Sequence, residues 1–151
     1  MNRLLIICLL ASSAVADEVL TRDERVVALT ILGEARGEGK TGMYAVGCVI
    51  QKRSSNRNLT SAQVCHESWQ FSIWNAGKGK IKKERDLWHL WESKETAYAR
   101  KLARYLCKNT IVLDDITNGA DHYCTLNANP SWAKDKKPAA IIGRHKFYKL
   151  K

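Results

Sequence analysis

The chain has 151 residues, 45% of them apolar, which is one domain's worth with a single core, and no linker or internal repeat marks a second domain. Its formal charge of +10 calls for an anionic partner, and nucleic acid, anionic lipid and bacterial cell wall all qualify at this level. No Cys-x-x-Cys or His-Glu-x-x-His spacing occurs, so neither a metal site nor any other cofactor is expected.

Met1-Asn2-Arg3, the apolar run from Leu4 to Leu10 and small residues ending in Ala14-Val15-Ala16 describe a secretory signal peptide over 1–16. The run is too short to span a bilayer comfortably. Cleavage after Ala16 leaves one domain over 17–151, exported to the periplasm or the extracellular space, with no transmembrane segment. That chain keeps Cys48, Cys65, Cys107 and Cys124. Cysteines in an exported chain predict up to two disulfides, with three possible pairings among which the sequence does not choose. Cys48 also reads as a plain buried thiol, because the stretch around it is apolar and helical.

Thr21-Arg22-Asp23-Glu24 fits a capping box, and Val26, Val27, Thr30 and Ile31 follow at helical spacing, predicting an amphipathic helix that runs to about Glu34. A second helix is predicted over Thr41–Lys52, with Met43, Val46, Val49 and Ile50 inward and Gly47 permitting close packing. Thr60-Ser61-Ala62-Gln63 is another capping box and opens a short helix. The Gly- and Lys-rich segment 75–83 reads as a mobile loop, and its lysines serve either an anionic ligand or solubility. A long helical stretch is predicted from about Arg85 to Lys108, with Leu87, Trp88, Trp91, Tyr98, Leu102, Tyr105 and Leu106 on its apolar side. Ala139–Ile142 and Lys146–Leu150 flank Gly143-Arg144 as a small hairpin. The expected class is α+β, mostly helical with a small β-hairpin.

Residues 32–39, Leu-Gly-Glu-Ala-Arg-Gly-Glu-Gly, are the most informative stretch. Glu34 continues the apolar stripe of the first helix, at i+3 from Ile31 and i+4 from Thr30, so it faces inward or into a cleft. Glu38 follows one turn later, and glycines keep bulk away from both. A carboxyl in a partly apolar cleft stays protonated near neutral pH and can serve as a general acid. The plainer alternative is two solvated carboxylates at a helix end.

Five blocks carry a family resemblance. They are Ile31–Glu38, Gly42–Val46 continued by Val49–Arg53, Gln70-Phe71-Ser72-Ile73-Trp74, Asp115–Tyr123 and Ile142–Tyr148. In this order and spacing the chain resembles the SleB/CwlJ-type cell wall hydrolases, the spore cortex-lytic enzymes. The resemblance implies a lysozyme-like fold and an enzyme that cleaves the glycosidic bond between N-acetylmuramic acid and N-acetylglucosamine. It favours lytic transglycosylation, with Glu34 as the single acid and base. Peptidoglycan glycan strands are then the partner, with no specific nucleic acid. Lysozyme is the standard case of a glutamate acid in an apolar pocket; hydrolysis adds a second carboxylate, for which Glu38 is nearest in sequence. Glu38, Gln70, Phe71, Trp74, Asn118, Tyr123, Trp132, His145 and Phe147 are the expected substrate-binding residues, the aromatics stacking on sugars and the polar groups hydrogen-bonding hydroxyls and acetamides. Each aromatic could equally be core. The chain departs from the usual pattern at Cys48, at Ile73 and in the lysine-rich 78–83 segment, which bears on substrate preference. The alternatives are a hydrolytic muramidase or amidase, a basic nuclease using His122 and His145, and a non-catalytic wall-binding module.

Overall fold

The structure is a computed structural model and describes residues 19–151; the signal-peptide reading over 1–16 lies outside them. Helix α1 spans Arg22–Ala35 and opens with the expected capping box: Glu24 N–H donates to Thr21 Oγ1 at 3.2 Å, and Thr21 N–H donates to the Glu24 carboxylate at 2.8 Å. From Val26 to Leu32 every residue is buried. Over this stretch the helix is enclosed all round, where the sequence predicted an amphipathic stripe. Helices α2 (Gly39–Arg57), α3 (Ser61–His66) and α4 (Thr96–Lys108) surround it. Helix α2 is longer than predicted at both ends and stops at Asn58, whose left-handed φ of +52° closes it. A Cβ at Gly47 would lie 3.1 Å from Leu102, so α2 and α4 meet closely there, as expected.

The predicted long helix over 85–108 is two elements. A 3-10 helix covers Glu84–Glu92, and α4 begins only after a break at Ser93 to Glu95. The tighter winding brings Leu87 and Leu90, three residues apart, to the core. Trp88 is consequently 58% exposed, a correction to its expected inward position; Tyr105 is also exposed. Segment 75–83 is a hydrogen-bonded loop: Ala76 N–H donates to Lys80 O at 2.9 Å, Lys82 N–H to Trp74 O at 2.8 Å, and Asn75 bridges Ile81.

The sheet has three antiparallel strands, β1 (His122–Thr125), β2 (Ala140–Ile142) and β3 (His145–Tyr148), in the order β1-β3-β2. The predicted hairpin is β2–β3; β1 was not foreseen. Tyr123 stands opposite Phe147, and Ile142 opposite His145. A small cluster of Ala45, Val49, Ala120 and Phe147 fastens this sheet to α2. The mostly helical α+β class is as expected.

The expected disulfides are not formed. Cys48, Cys65, Cys107 and Cys124 are all free. Cys65 is sealed in the helical core, the Cys48 thiol points to Asp114 O at 3.6 Å, and the Cys124 thiol lies 3.9 Å from Ala128 O. Burial pushes the Cys48 thiol up to about 11 and those of Cys65 and Cys107 to about 12, which keeps them protonated and unreactive.

Candidate active site

Glu34 sits near the end of α1, and its side chain leaves the helix toward a cleft of about 550 Å³ between the helices and the sheet. Three donors hold its carboxylate. Ser72 Oγ and Ile73 N–H donate to Oε1, each at 3.0 Å, and Tyr123 OH donates to Oε2 at 2.7 Å. A carboxylate offers about four acceptor directions. Three are occupied, so the group is fixed in orientation with one position left for a ligand or a proton.

The packing explains how residues so distant in sequence converge. Trp74 closes the 3-10 turn Ser72–Trp74 and is 0% exposed; its Nε1–H donates to Thr30 Oγ1 at 2.8 Å. Thr30 is one helical turn before Glu34, so seating Trp74 in the core lays Ser72 and Ile73 over the acid. Gly33 makes the approach possible. A Cβ there would come within 2.2 Å of Ile73 Cγ1, and the backbone N–H of Ile73 would be pushed off Glu34. On the other side, Tyr123 of β1 is wedged against His145 and Phe147 of β3, with ring centroids 5.5 Å away in both cases. Burial first, and then the adjacent Glu34 charge, raises the Tyr123 phenol well above its ordinary value, so it stays a donor.

The expected site residues separate into three groups. Glu34, Gln70, Tyr123, Trp132 and His145 all line the cleft. Tyr123 does so as a hydrogen-bond donor to Glu34 and not as a stacking face, and His145 is largely buried behind it. Phe71, Trp74 and Phe147 are at most 1% exposed. They are core residues with no face for a sugar, which corrects their expected role. Glu38 and Asn118 serve local structure. Asn118 occupies a left-handed turn position, φ +57°, and its amide donates to Ala139 O at 2.9 Å. Glu38 accepts from Arg144 N–H at 2.8 Å and from Arg144 Nε at 2.6 Å, anchoring the β2–β3 turn to the start of α2. The Arg144 backbone N–H, with the guanidinium behind it, holds the Glu38 carboxyl below its ordinary value.

Several cleft residues escaped the sequence reading. Arg53 is buried, donates to Asp121 O and Gln70 O at 2.7 Å each, and lies over the Phe71 ring at 4.8 Å. It continues the inward stripe Val46, Val49, Ile50 of α2, and that position is the signal that could have found it. His122, expected only under the nuclease alternative, also lines the cleft. Its Nδ1 is 2.9 Å from Asp121 Oδ1, which additionally accepts Leu150 N–H at 2.9 Å. Burial works against the Asp121 charge, but the His122 and Leu150 hydrogen bonds outweigh it and the net shift is downward. Trp132 packs on His122 and Tyr148, and Trp69 completes the rim. Glu34 is the only carboxylate among the described residues that line the cleft. No group of three or more His, Cys, Asp or Glu side chains among the described residues could hold a metal ion.

A family model described as Cell Wall Hydrolase matches residues 37–148. The match begins just after Glu34, so the case for that residue rests on the geometry around it. No curated protein matches. Among solved structures, the chain is similar to the catalytic domain of the Bacillus cereus SleB protein, with 26% identity, a TM-score of 0.60, and coverage of 88% of this chain and 94% of that one. The lysozyme-like fold expected from the motif blocks is thereby met. With the family model matching most of its length, the chain belongs to the cell wall hydrolase family.

Proposed function

We propose that this peptidoglycan-acting enzyme of the cell wall hydrolase family cleaves the glycosidic bond between N-acetylmuramic acid and N-acetylglucosamine as a lytic transglycosylase, with Glu34 as both acid and base. The observation that carries this reading is the solitary carboxylate. Hydrolysis by the usual routes needs a second carboxylate across the bond. Here Glu38 is committed to Arg144, and Asp121 is buried behind His122. A single carboxyl suffices if the substrate supplies the nucleophile. Protonated Glu34 gives its proton to the bridging oxygen as the glycosidic bond breaks. The muramic C6 hydroxyl then bonds to the anomeric carbon, and its proton returns to Glu34, leaving a 1,6-anhydro end and consuming no water. Ser72, Ile73 and Tyr123 would keep the carboxyl aimed through both transfers.

Action on the wall requires export, which the basic, apolar and small-residue pattern of the first 16 residues supports. Hydrolytic cleavage is the second reading, and one observation favours it: His122, oriented by Asp121, shares the cleft and could activate water.

Glu34→Gln tests the acid. It preserves shape and removes the proton, so clearing of a purified peptidoglycan suspension should fall by about 10²–10⁴-fold, with an unchanged melting temperature. Equal clearing by wild type and variant would refute the assignment. Loss of activity in His122→Ala and His145→Ala with Glu34→Gln unaffected would move the chemistry to the histidines and reopen phosphodiester cleavage.

A further inference from the structure

The turn between α3 and the Ser72–Trp74 segment contains a conformational anomaly. Gln70 N–H donates to Glu67 O at 3.3 Å, which makes Glu67–Gln70 a β-turn. Its third residue is Trp69, with φ of +66°. That position favours glycine, and a bulky residue there is strained. The chain places its largest side chain where the smallest would be most comfortable. The side chain gains little from the fold in return, since Trp69 is 66% exposed.

Its neighbours on both flanks are held by hydrogen bonds and an ion pair. Glu67 pairs with Arg57 at 2.5 Å, Ser68 Oγ donates to Gly79 O at 3.1 Å, and Arg53 donates to Gln70 O at 2.7 Å. The indole of Trp69 is the one large group of the turn left outside, and it lines the Glu34 cleft. Trp88 provides the contrast. It is nearly as exposed, but it sits in a regular 3-10 helix and lines none of the clefts described. Exposure alone therefore does not single out Trp69; strain, a pinned turn and the cleft together do. Strained residues held by their surroundings cluster at ligand-binding sites.

We propose that Trp69 is a saccharide platform at the rim of the cleft, stacking on the apolar face of an N-acetylhexosamine ring of a β-1,4-linked amino-sugar strand. Trp132 lines the same cleft, half-buried against His122 and Tyr148. Gln70 and Asn75 line the same cleft and offer polar groups to a sugar bound there. The platform is uncharged, so its contribution is insensitive to salt, unlike that of the nearby lysines. Trp69 acts in binding and takes no part in the proton transfers. The inference rests on the glycosidic reading for its choice of ligand.

Two measurements on the full chain test it. In the Glu34→Gln background, neutral β-1,4 N-acetylglucosamine oligomers are titrated against intrinsic fluorescence, with and without Trp69→Ala. In the active protein, KM and kcat are compared on purified soluble glycan strands. Trp69→Ala should weaken oligomer binding and raise KM by about tenfold, equally at low and high salt, with kcat within about twofold. Trp69→Phe should recover most of the loss, because it restores a flat ring. Unchanged binding and KM in Trp69→Ala would overturn the platform, as would a fall in kcat alone or a failure of Phe to rescue. Wild type that binds oligomers through Trp69 but cleaves no glycan would leave the platform standing and refute the glycosidic reading instead.

Discussion

Inside the helical body, Val27, Leu29, Ile31 and Leu32 of α1 bury apolar side chains almost completely, and the Thr30–Trp74 hydrogen bond is a rare polar contact. On the sheet side Asp121 and His145 are buried and Arg53 of α2 reaches across to Asp121: hydrogen bonds hold Arg53 and Asp121, and ring contacts with Tyr123 and Phe147 hold His145. The first region is stabilised by close packing, which places a backbone rigidly. The second is stabilised by satisfied polar networks, which orient side chains. Glu34 draws on both. Its backbone belongs to the packed helix, Ser72 and Ile73 reach it through Trp74 in the core, and Tyr123 reaches it from the sheet. Changes in the body should therefore cost stability, and changes on the sheet side should cost rate.

The largest departure from this division is Glu34→Gln itself, a body residue that should cost rate alone. Next comes Tyr123→Phe. The phenyl ring keeps its place between His145 and Phe147 while the donor to Glu34 disappears. A hydrogen bond to a charged group is worth about 1.5–3 kcal/mol, so kcat on glycan strands should drop by roughly tenfold or more with little change in melting temperature. A variant that instead melted at a clearly lower temperature, with kcat intact, would show that the sheet contributes stability and not orientation.

A smaller effect is expected at the Glu38–Arg144 tie, which joins the two regions away from the cleft. The Glu38 carboxyl is held below its ordinary value of 4.5. Its stabilising contribution is therefore fully present above that value and is lost as pH falls through the lower, folded-state value. Melting temperature followed from pH 7 down to pH 3 should decline in wild type below about pH 4.5. Glu38→Gln should start lower and decline less over that acid window. Identical slopes in the two proteins would mean the tie does not hold the hairpin. Activity of Glu38→Gln at neutral pH should stay near wild type, in contrast to Glu34→Gln.

The same contrast governs what the sequence disclosed. The body was legible where signals are local: both capping boxes, at Thr21 and Thr60, and the inward face of α2 follow from residues three or four apart. Its misreading at Trp88 came from applying an α-helical period to a segment wound as a 3-10 helix. The sheet side was less legible because its contacts are remote. Strand β1 is short and half-buried and pairs with β3 across an intervening segment, so it carries little alternation of its own. Tyr123 was picked out for its aromatic ring, whereas its hydroxyl is what meets Glu34, and only the fold brings the two together. Trp74 and Trp69 illustrate the limit in both directions. The one inside a motif proved to be core, and the one outside it stands at the cleft; what separates them, burial and a left-handed backbone, is not written in residue type. The fate of Glu38 was equally remote, since Arg144 is its partner.

The central claim is that one carboxyl performs the whole reaction. The most direct test is the mass of the muropeptides released when the wild-type protein digests purified peptidoglycan. A single-carboxyl mechanism predicts 1,6-anhydro-muropeptides, lighter than hydrolysed ones by the elements of water and already resistant to reduction. Reducing-end muropeptides would contradict it and point to a water-activating group, with His122 the first to examine because it shares the cleft with Glu34. Free stem peptides would contradict it more deeply, because the scissile bond would then not be glycosidic.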